Sequence, residues 1–284
     1  MRRPFRAGLT ACSSSGDSAS DGAGGSTALD VWLMRDSVSA EFQKEFDTGF
    51  EKAHPGIDLK IQIQEWEGIG EKVTAALASN DAPDVIEVGN TQVAQYAQSG
   101  GLTDFSHRVA ELGGDAWLEG LAEPGGLDSP AALRAMDFYR RLQALGKGPK
   151  DSDEAQPKTA DRPGAVFTGG SDLVVPAVAA HQEEAFTFIR ELTGDAWQKK
   201  LAVAMSYVPN KTTLAGAVTD DPGTAAMAAG AAHGRATPNT PQWAAVEAKN
   251  PIKEYMTAVL TGKDAESAAA EASRTITETL GGDS

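Results

Sequence analysis

Three short segments of this 284-residue chain carry side chains that can read adjacent hydroxyl groups. Met34-Arg35-Asp36, Gln64-Glu65-Trp66-Glu67 and Gly89-Asn90-Thr91-Gln92 each follow a strand-like run. Amide, carboxylate and guanidinium groups offer paired donors and acceptors, and an indole covers an apolar C–H face. A polyhydroxylated ligand presents both kinds of surface. Buried polar groups left unpaired by the wrong ligand cost free energy, which is the source of selectivity. Each candidate also has a plainer reading. Asn90 or Thr91 can cap a helix, Arg35 and Asp36 can form a solvated turn, and Trp32, inside the first strand, can be core. Trp66 sits between two acids in a loop, which favours a platform over a core position. Gly169-Gly170 divides two strand pieces and marks a close backbone approach, either a bulge or a ligand contact at Gly170, with the structural reading favoured. Trp117 and Trp197 are assigned to packing.

Enzyme chemistry finds less support. His54, His107, His181 and His233 lack metal-ligand spacing, and there is neither a G-x-S-x-G elbow nor a phosphate-cradling glycine loop. Glu65 and Glu67 could imitate a glycosidase pair, but neighbouring acids are usual in a chain with 40 acidic and 25 basic residues. No catalytic residue, metal or cofactor is expected. The net charge of -15 repels phosphate backbones and anionic lipids, so nucleic acid is not expected as a partner and an uncharged ligand is.

The single cysteine, Cys12, permits no internal disulfide. It follows Leu9-Thr10-Ala11 and precedes a Ser/Gly/Asp-rich run, as at the start of a bacterial lipoprotein, with the thiol carrying the lipid and residues 1–27 forming a truncated signal and flexible tether. The expected location is the extracellular face of the membrane. Arg2, Arg3 and Arg6 supply a basic start, but residues 7–11 fall short of the roughly 7 apolar residues of an export signal. A start further upstream would restore it; a lone thiol in a tail is the alternative. No run approaches the roughly 18 apolar residues of a membrane span, so membrane contact is expected only through the lipid.

These segments need elements to position them. Val31 and Leu33 open a strand, and Phe42, Phe46 and Phe50 mark one face of a helix over 39–54 that Pro55-Gly56 stops. Ile57, Leu59, Ile61 and Ile63 alternate as a second strand, Ile69, Val73, Ala76 and Leu77 return to helical spacing, and 84–88 is a third strand. This β-α-β-α-β order predicts a mainly parallel sheet with helices on both faces. Further helices are expected over 91–99, 105–112, 129–145, 185–192, 221–230, 243–260 and 265–280, and over 195–205 with Asp195 and Gln198 as a capping box. The 147–163 stretch reads as an exposed loop, and strand character returns at 165–168 and 173–175.

Six segments in order resemble the extracellular solute-binding proteins of ABC importers, in the sugar-binding family that includes maltose-binding protein. They are Val31-Trp32, Phe50-Glu51-Lys52-Ala53-His54-Pro55-Gly56, Asp81-Ala82-Pro83-Asp84-Val85, Tyr96-Ala97-Gln98-Ser99-Gly100-Gly101-Leu102, Phe167-Thr168-Gly169-Gly170-Ser171-Asp172-Leu173 and Thr237-Pro238-Asn239-Thr240-Pro241-Gln242-Trp243. The resemblance implies a periplasmic-binding-protein-like (type II) α/β fold of two hinged lobes that close on a ligand. It places ligand contacts at Asn90, Thr91 and Gln92, and Trp243 could face the cleft. The chain departs from the family between Pro124 and Phe167, where relatives carry most of the second lobe's sheet. The first lobe, 28–123 with 165–235, is then largely complete, and 124–164 with 236–284 is a mainly helical remnant of the second. Phe138, Leu142, Trp243 and Val259 are expected to dock on the first lobe or stay mobile.

The function this implies is binding of a sugar or oligosaccharide by a lipid-anchored monomer that delivers it to ABC permease subunits. The ligand-binding set is Asn90, Thr91, Gln92, Trp66, Glu65, Asp36, Arg35, Trp32, Gly170 and Trp243. The alternatives are a remnant serving as a surface interaction domain and a cell-wall glycan hydrolase.

Overall fold

The computed structural model describes residues 26–113, 170–231 and 240–281, the strand residues 167–168 and 235–236, and the helical residues 133, 134, 136, 137, 140 and 141. The 1–25 segment with Cys12, the 147–163 loop, Trp117, Phe138 and Leu142 lie outside them.

Strand β1 (Thr27–Met34) is central. It pairs in parallel with β2 (Ile57–Gln64) along its whole length, from Thr27 opposite Ile57 to Met34 opposite Gln64, and on its other side with β3 (Val85–Gly89). Parallel neighbours need crossovers, supplied here by helices α1 (Ala40–Ala53) and α2 (Ile69–Leu77). Ser39 caps α1 by accepting from the Phe42 amide at 3.2 Å. After β3 come a single 3₁₀ turn, Asn90–Gln92, and helix α3 (Val93–Gln98).

Both faces of the sheet are covered because β1 alternates between two apolar cores. Leu29, Val31 and Leu33 face the first, where Phe42, Phe46 and Phe50 of α1 meet Phe188 and Ile189 of α4 (Gln182–Leu192). Trp197, on α5 (Asp195–Met205), stands edge-on to Phe42 and Phe46 with ring centroids 5.9 and 5.0 Å away, the packing role expected of it. Met34 and half-buried Trp32 face the second core, with Ile69, Val73, Ile86 and Tyr96. Asp84, buried just before β3, staples the layers by accepting from the amides of Asp30 and His181, both at 3.0 Å.

The fourth strand, β5 (Ser171–Val174), runs antiparallel to β3, from Ile86 opposite Val174 to Gly89 opposite Ser171. The strand order is therefore β2-β1-β3-β5. Phe167–Thr168, β4, does not join this sheet. It pairs in parallel with β6 (Arg235–Ala236) as a separate two-stranded ribbon.

Three sequence expectations are corrected. The 195–205 helix is capped by Gly194 without a side-chain bond, and Asp195 instead takes the Lys211 ammonium at 2.7 Å, so no capping box forms. The helix expected over 243–260 is two: α7 (Trp243–Lys249) and α8 (Pro251–Leu260), which follow α6 (Pro222–Ala231). Pro251 has no N–H and its ring clashes with the preceding turn, so the chain breaks at Asn250. Asn250 takes a left-handed φ of 45° and caps α8 through the Lys253 amide. Lastly, Val259 does not dock on the first sheet's core. It packs with Tyr255, Met136 and three alanines of α9 (Ala265–Thr279) in a small core of its own.

One acid on α1 opposes the fold near neutral pH. Asp47 has a buried carboxylate oxygen without a hydrogen-bond partner. Burial raises its pKa above the ordinary 3.8, a hydrogen bond with Gln43 opposes this, and the Glu51 charge adds to it. The unfolded chain releases this proton first as pH rises, so the group's effect on stability worsens from pH 3.8 up to the higher folded value. Asp47→Asn is expected to raise the melting temperature at pH 7 and to leave it nearly unchanged near pH 3, as followed by circular dichroism.

Candidate functional site

Because β1, β2 and β3 run parallel, the loops after them leave from one sheet edge, where open α/β sheets hold ligands. The β1 and β2 loops are bonded together. The Arg35 amide donates to the Gln64 carbonyl at 2.8 Å, its guanidinium Nε lies 2.6 Å from Glu65 Oε1, and the Trp66 indole N–H donates to the Arg35 carbonyl at 3.3 Å. Both partners of the ion pair are exposed, so it contributes at most about 1 kcal/mol. The indole remains 45% exposed, open to cover an apolar ligand face.

Glu87 of β3 joins the third loop to the first. It is 4% exposed, and its carboxylate accepts from the Met34 amide at 2.7 Å, from Ser37 Oγ at 2.6 Å and from Ser171 Oγ on β5. The Asn90 amide donates to the Gly170 carbonyl at 3.1 Å. Asp36 adopts a left-handed φ of 66°, and Tyr207, beyond α5, donates its phenol to the Asp36 carbonyl at 2.6 Å.

A second wall comes from the C-terminal helices. Glu247 of α7 accepts a hydrogen bond from Thr91 Oγ1, and Thr91 is only 6% exposed. Trp243, the first residue of α7, lies half-buried one turn before Glu247 on the same helix face.

The structure thus brings Arg35, Asp36, Glu65, Trp66, Asn90, Thr91, Gln92 and Gly170 to one edge and sets α7, with Trp243, against it. Capping does not account for Asn90 or Thr91, since neither the 3₁₀ turn nor α3 has a side-chain cap. Trp32 is the exception to the gathering: it packs in the second core with the Lys72 ammonium 4.7 Å over its ring, while Lys72 donates to buried Gln64. At Gly170 the close backbone approach is not seen: a Cβ there would meet open space, while the Gly170 carbonyl accepts the Asn90 amide.

Glu87, Ser37, Ser171, Tyr207 and Glu247 were not anticipated. Glu87 had a readable signal, an acid inside an otherwise apolar buried strand. Tyr207 and Glu247 act across 171 and 156 residues of sequence, which no local pattern reveals. Two depressions lie elsewhere, one lined by Val208, Lys211 and Ala228, the other by His54, Glu183 and Thr187. Among the described residues no group of three His, Cys, Asp or Glu could hold a metal ion.

Comparison with known proteins agrees with this architecture. Residues 35–123 and residues 141–228 match two family models, both described as bacterial extracellular solute-binding proteins. The diacetylchitobiose binding protein DasA of Streptomyces coelicolor is 29% identical, with 88% of each chain covered. That alignment runs over 379 residues, more than the 284 present here, so the relative carries residues inside the matched region that this chain lacks. Among solved structures, the sugar-binding protein MalE of Xanthomonas citri superposes with a TM-score of 0.70 at 16% identity, covering 90% of this chain and 98% of its own. MalX of Streptococcus pneumoniae, in complex with maltopentaose, gives 0.65 at 17% identity, covering 89% and 100%. The chain is thus similar to the bacterial extracellular solute-binding proteins over two separate stretches. Its fold is periplasmic-binding-protein-like, with a reduced second lobe.

Hydrogen bonds to a buried carboxylate are worth more than neutral ones, and a glutamine at this position would turn an N–H₂ toward donors that need an acceptor. Glu87→Gln is expected to lower stability by about 2–3 kcal/mol in urea unfolding. Glu65→Gln, at an exposed pair, is expected to stay within about 1 kcal/mol of the parent.

Proposed function

We propose that this chain binds an oligosaccharide outside the cell and delivers it to ABC permease subunits, with no chemistry of its own. The observation that supports the reading best is the bonded cluster of three strand loops, with an exposed indole and polar side chains, facing a second wall at α7. A row of sugar hydroxyls needs fixed donors and acceptors, and its C–H face needs an aromatic plane. The named relatives favour sugars: one binds diacetylchitobiose, and solved neighbours are complexed with maltotetraose and maltopentaose. In this reading Asp36, Arg35, Glu65, Trp66, Asn90, Gln92 and Trp243 contact ligand, Cys12 carries a lipid, and the protein works as a monomer at the outer face of the membrane.

The lobes divide as 28–123 with 165–235, and 124–164 with 236–284. The β4–β6 ribbon lies where the chain crosses between them, as a hinge would. The small core around Val259 and Met136, separate from the cores on the two faces of the sheet, supports that division. One observation favours the rival, a remnant that no longer holds sugar: the Thr91 hydroxyl is already engaged by Glu247.

A thermal-shift panel of diacetylchitobiose, maltotetraose and maltopentaose separates the two. A ligand at about 100 times its dissociation constant adds about 2.7 kcal/mol, expected as a rise of roughly 5 to 10 °C. No rise with any of these sugars would favour the remnant.

A further inference from the structure

The geometry points to Tyr207 as a positioning residue that holds the Asp36 carboxylate in place for a ligand's hydroxyl groups. The inference rests on the sugar-binding reading above and extends it to a residue on the far side of the sequence. Asp36 is an exposed, non-glycine residue in the left-handed region, with φ 66°. That conformation is uncommon outside glycine, and although aspartate enters it more readily than most residues, one fixed in it is held by its surroundings. Here they do. Tyr207 donates its phenol to the Asp36 carbonyl at 2.6 Å, and the Trp66 indole N–H donates to the preceding carbonyl, that of Arg35, at 3.3 Å. On either side, the Met34 amide and the Ser37 hydroxyl are held by Glu87.

The backbone of this loop is thus gripped on consecutive residues, while Asp36 itself stays exposed. A loop that only had to turn would not need two aromatic donors on successive carbonyls. A carboxylate that must meet a pair of vicinal hydroxyls does need a fixed backbone, because ordering it at the moment of binding would be subtracted from affinity. Tyr207 itself comes from the segment just after α5, where Ser206 also takes a left-handed φ, of 55°, so the approach of the phenol is shaped by its own local turn.

The test uses the full chain with Tyr207→Phe, which keeps the ring and removes only the donor. Hydrogen exchange is read first, without any sugar. The Arg35 and Ser37 amides, which donate to Gln64 and Met34, are expected to exchange about three- to tenfold faster in the variant, with the Phe42–Phe50 helix unchanged. Unchanged exchange at both amides would overturn the positioning role, whatever the protein binds. Affinity for the sugar that gives the thermal shift is read second, in a cycle with Asp36→Gly, which removes the carboxylate and suits a positive φ. Tyr207→Phe is expected to weaken binding about three- to tenfold in the parent and to change nothing in the Asp36→Gly background. An equal loss in both backgrounds would mean that Tyr207 does not act through Asp36, and would overturn the inference. Faster loop exchange combined with no binding of any sugar by the parent would instead sink the sugar reading, and with it the ligand role assigned to Asp36.

Discussion

The buried carboxylate of Glu87 is the interaction on which this site depends. An acid in the middle of a sheet is costly unless its oxygens are satisfied, and here they collect donors from Met34, Ser37 and Ser171. Those donors lie on β1, on the loop after it and on β5, so one side chain fixes three segments to the strand that carries Asn90, Thr91 and Gln92. The loop after β2 is then drawn in by Arg35, through Gln64 and Glu65. The proposed hydroxyl-reading surface would need its groups at fixed separations, and this network ties its loops together.

The second constraint is the break in the C-terminal helix. With Pro251 starting a new helix, α7 is free to lie against the Asn90–Gln92 turn while α8 and α9 build a small core with Met136. The chain therefore retains an opposing wall although it has fewer residues than the relative it aligns with. That wall reaches the edge of the sheet through Thr91 and Glu247, a contact that a ligand entering from this side would have to accommodate.

Much of the sheet was legible because its cues are local. Phe42, Phe46 and Phe50 at four-residue spacing, the alternation from Ile57 to Ile63, and the helix start at Ser39 all appear where the pattern put them. The strand-helix order also located the three loops correctly, since parallel strands send their loops to one edge. What escaped is non-local or context-dependent. The antiparallel direction of β5 against β3 joins residues more than 80 positions apart, which no local pattern reports. Trp32 reads equally as rim or core until α2 is seen to cover it. The Asn250-Pro251 break, by contrast, is a local cue: Pro251 cannot continue a helix, and Val246 and Tyr255, nine residues apart, would fall on opposite faces of a single one. Tyr207 carries no local mark at all, and its role emerges only from the left-handed backbone it meets at Asp36.

Covalent footprinting of the full chain, with and without a bound oligosaccharide, decides whether the loops after β1, β2 and β3 form a hydroxyl-reading edge. Protection concentrated on Asp36, Trp66, Gln92 and Trp243 is the expected result. Bound sugar that leaves these four unprotected, or that shields the Val208–Ala228 depression or the His54–Glu183 depression instead, would contradict it.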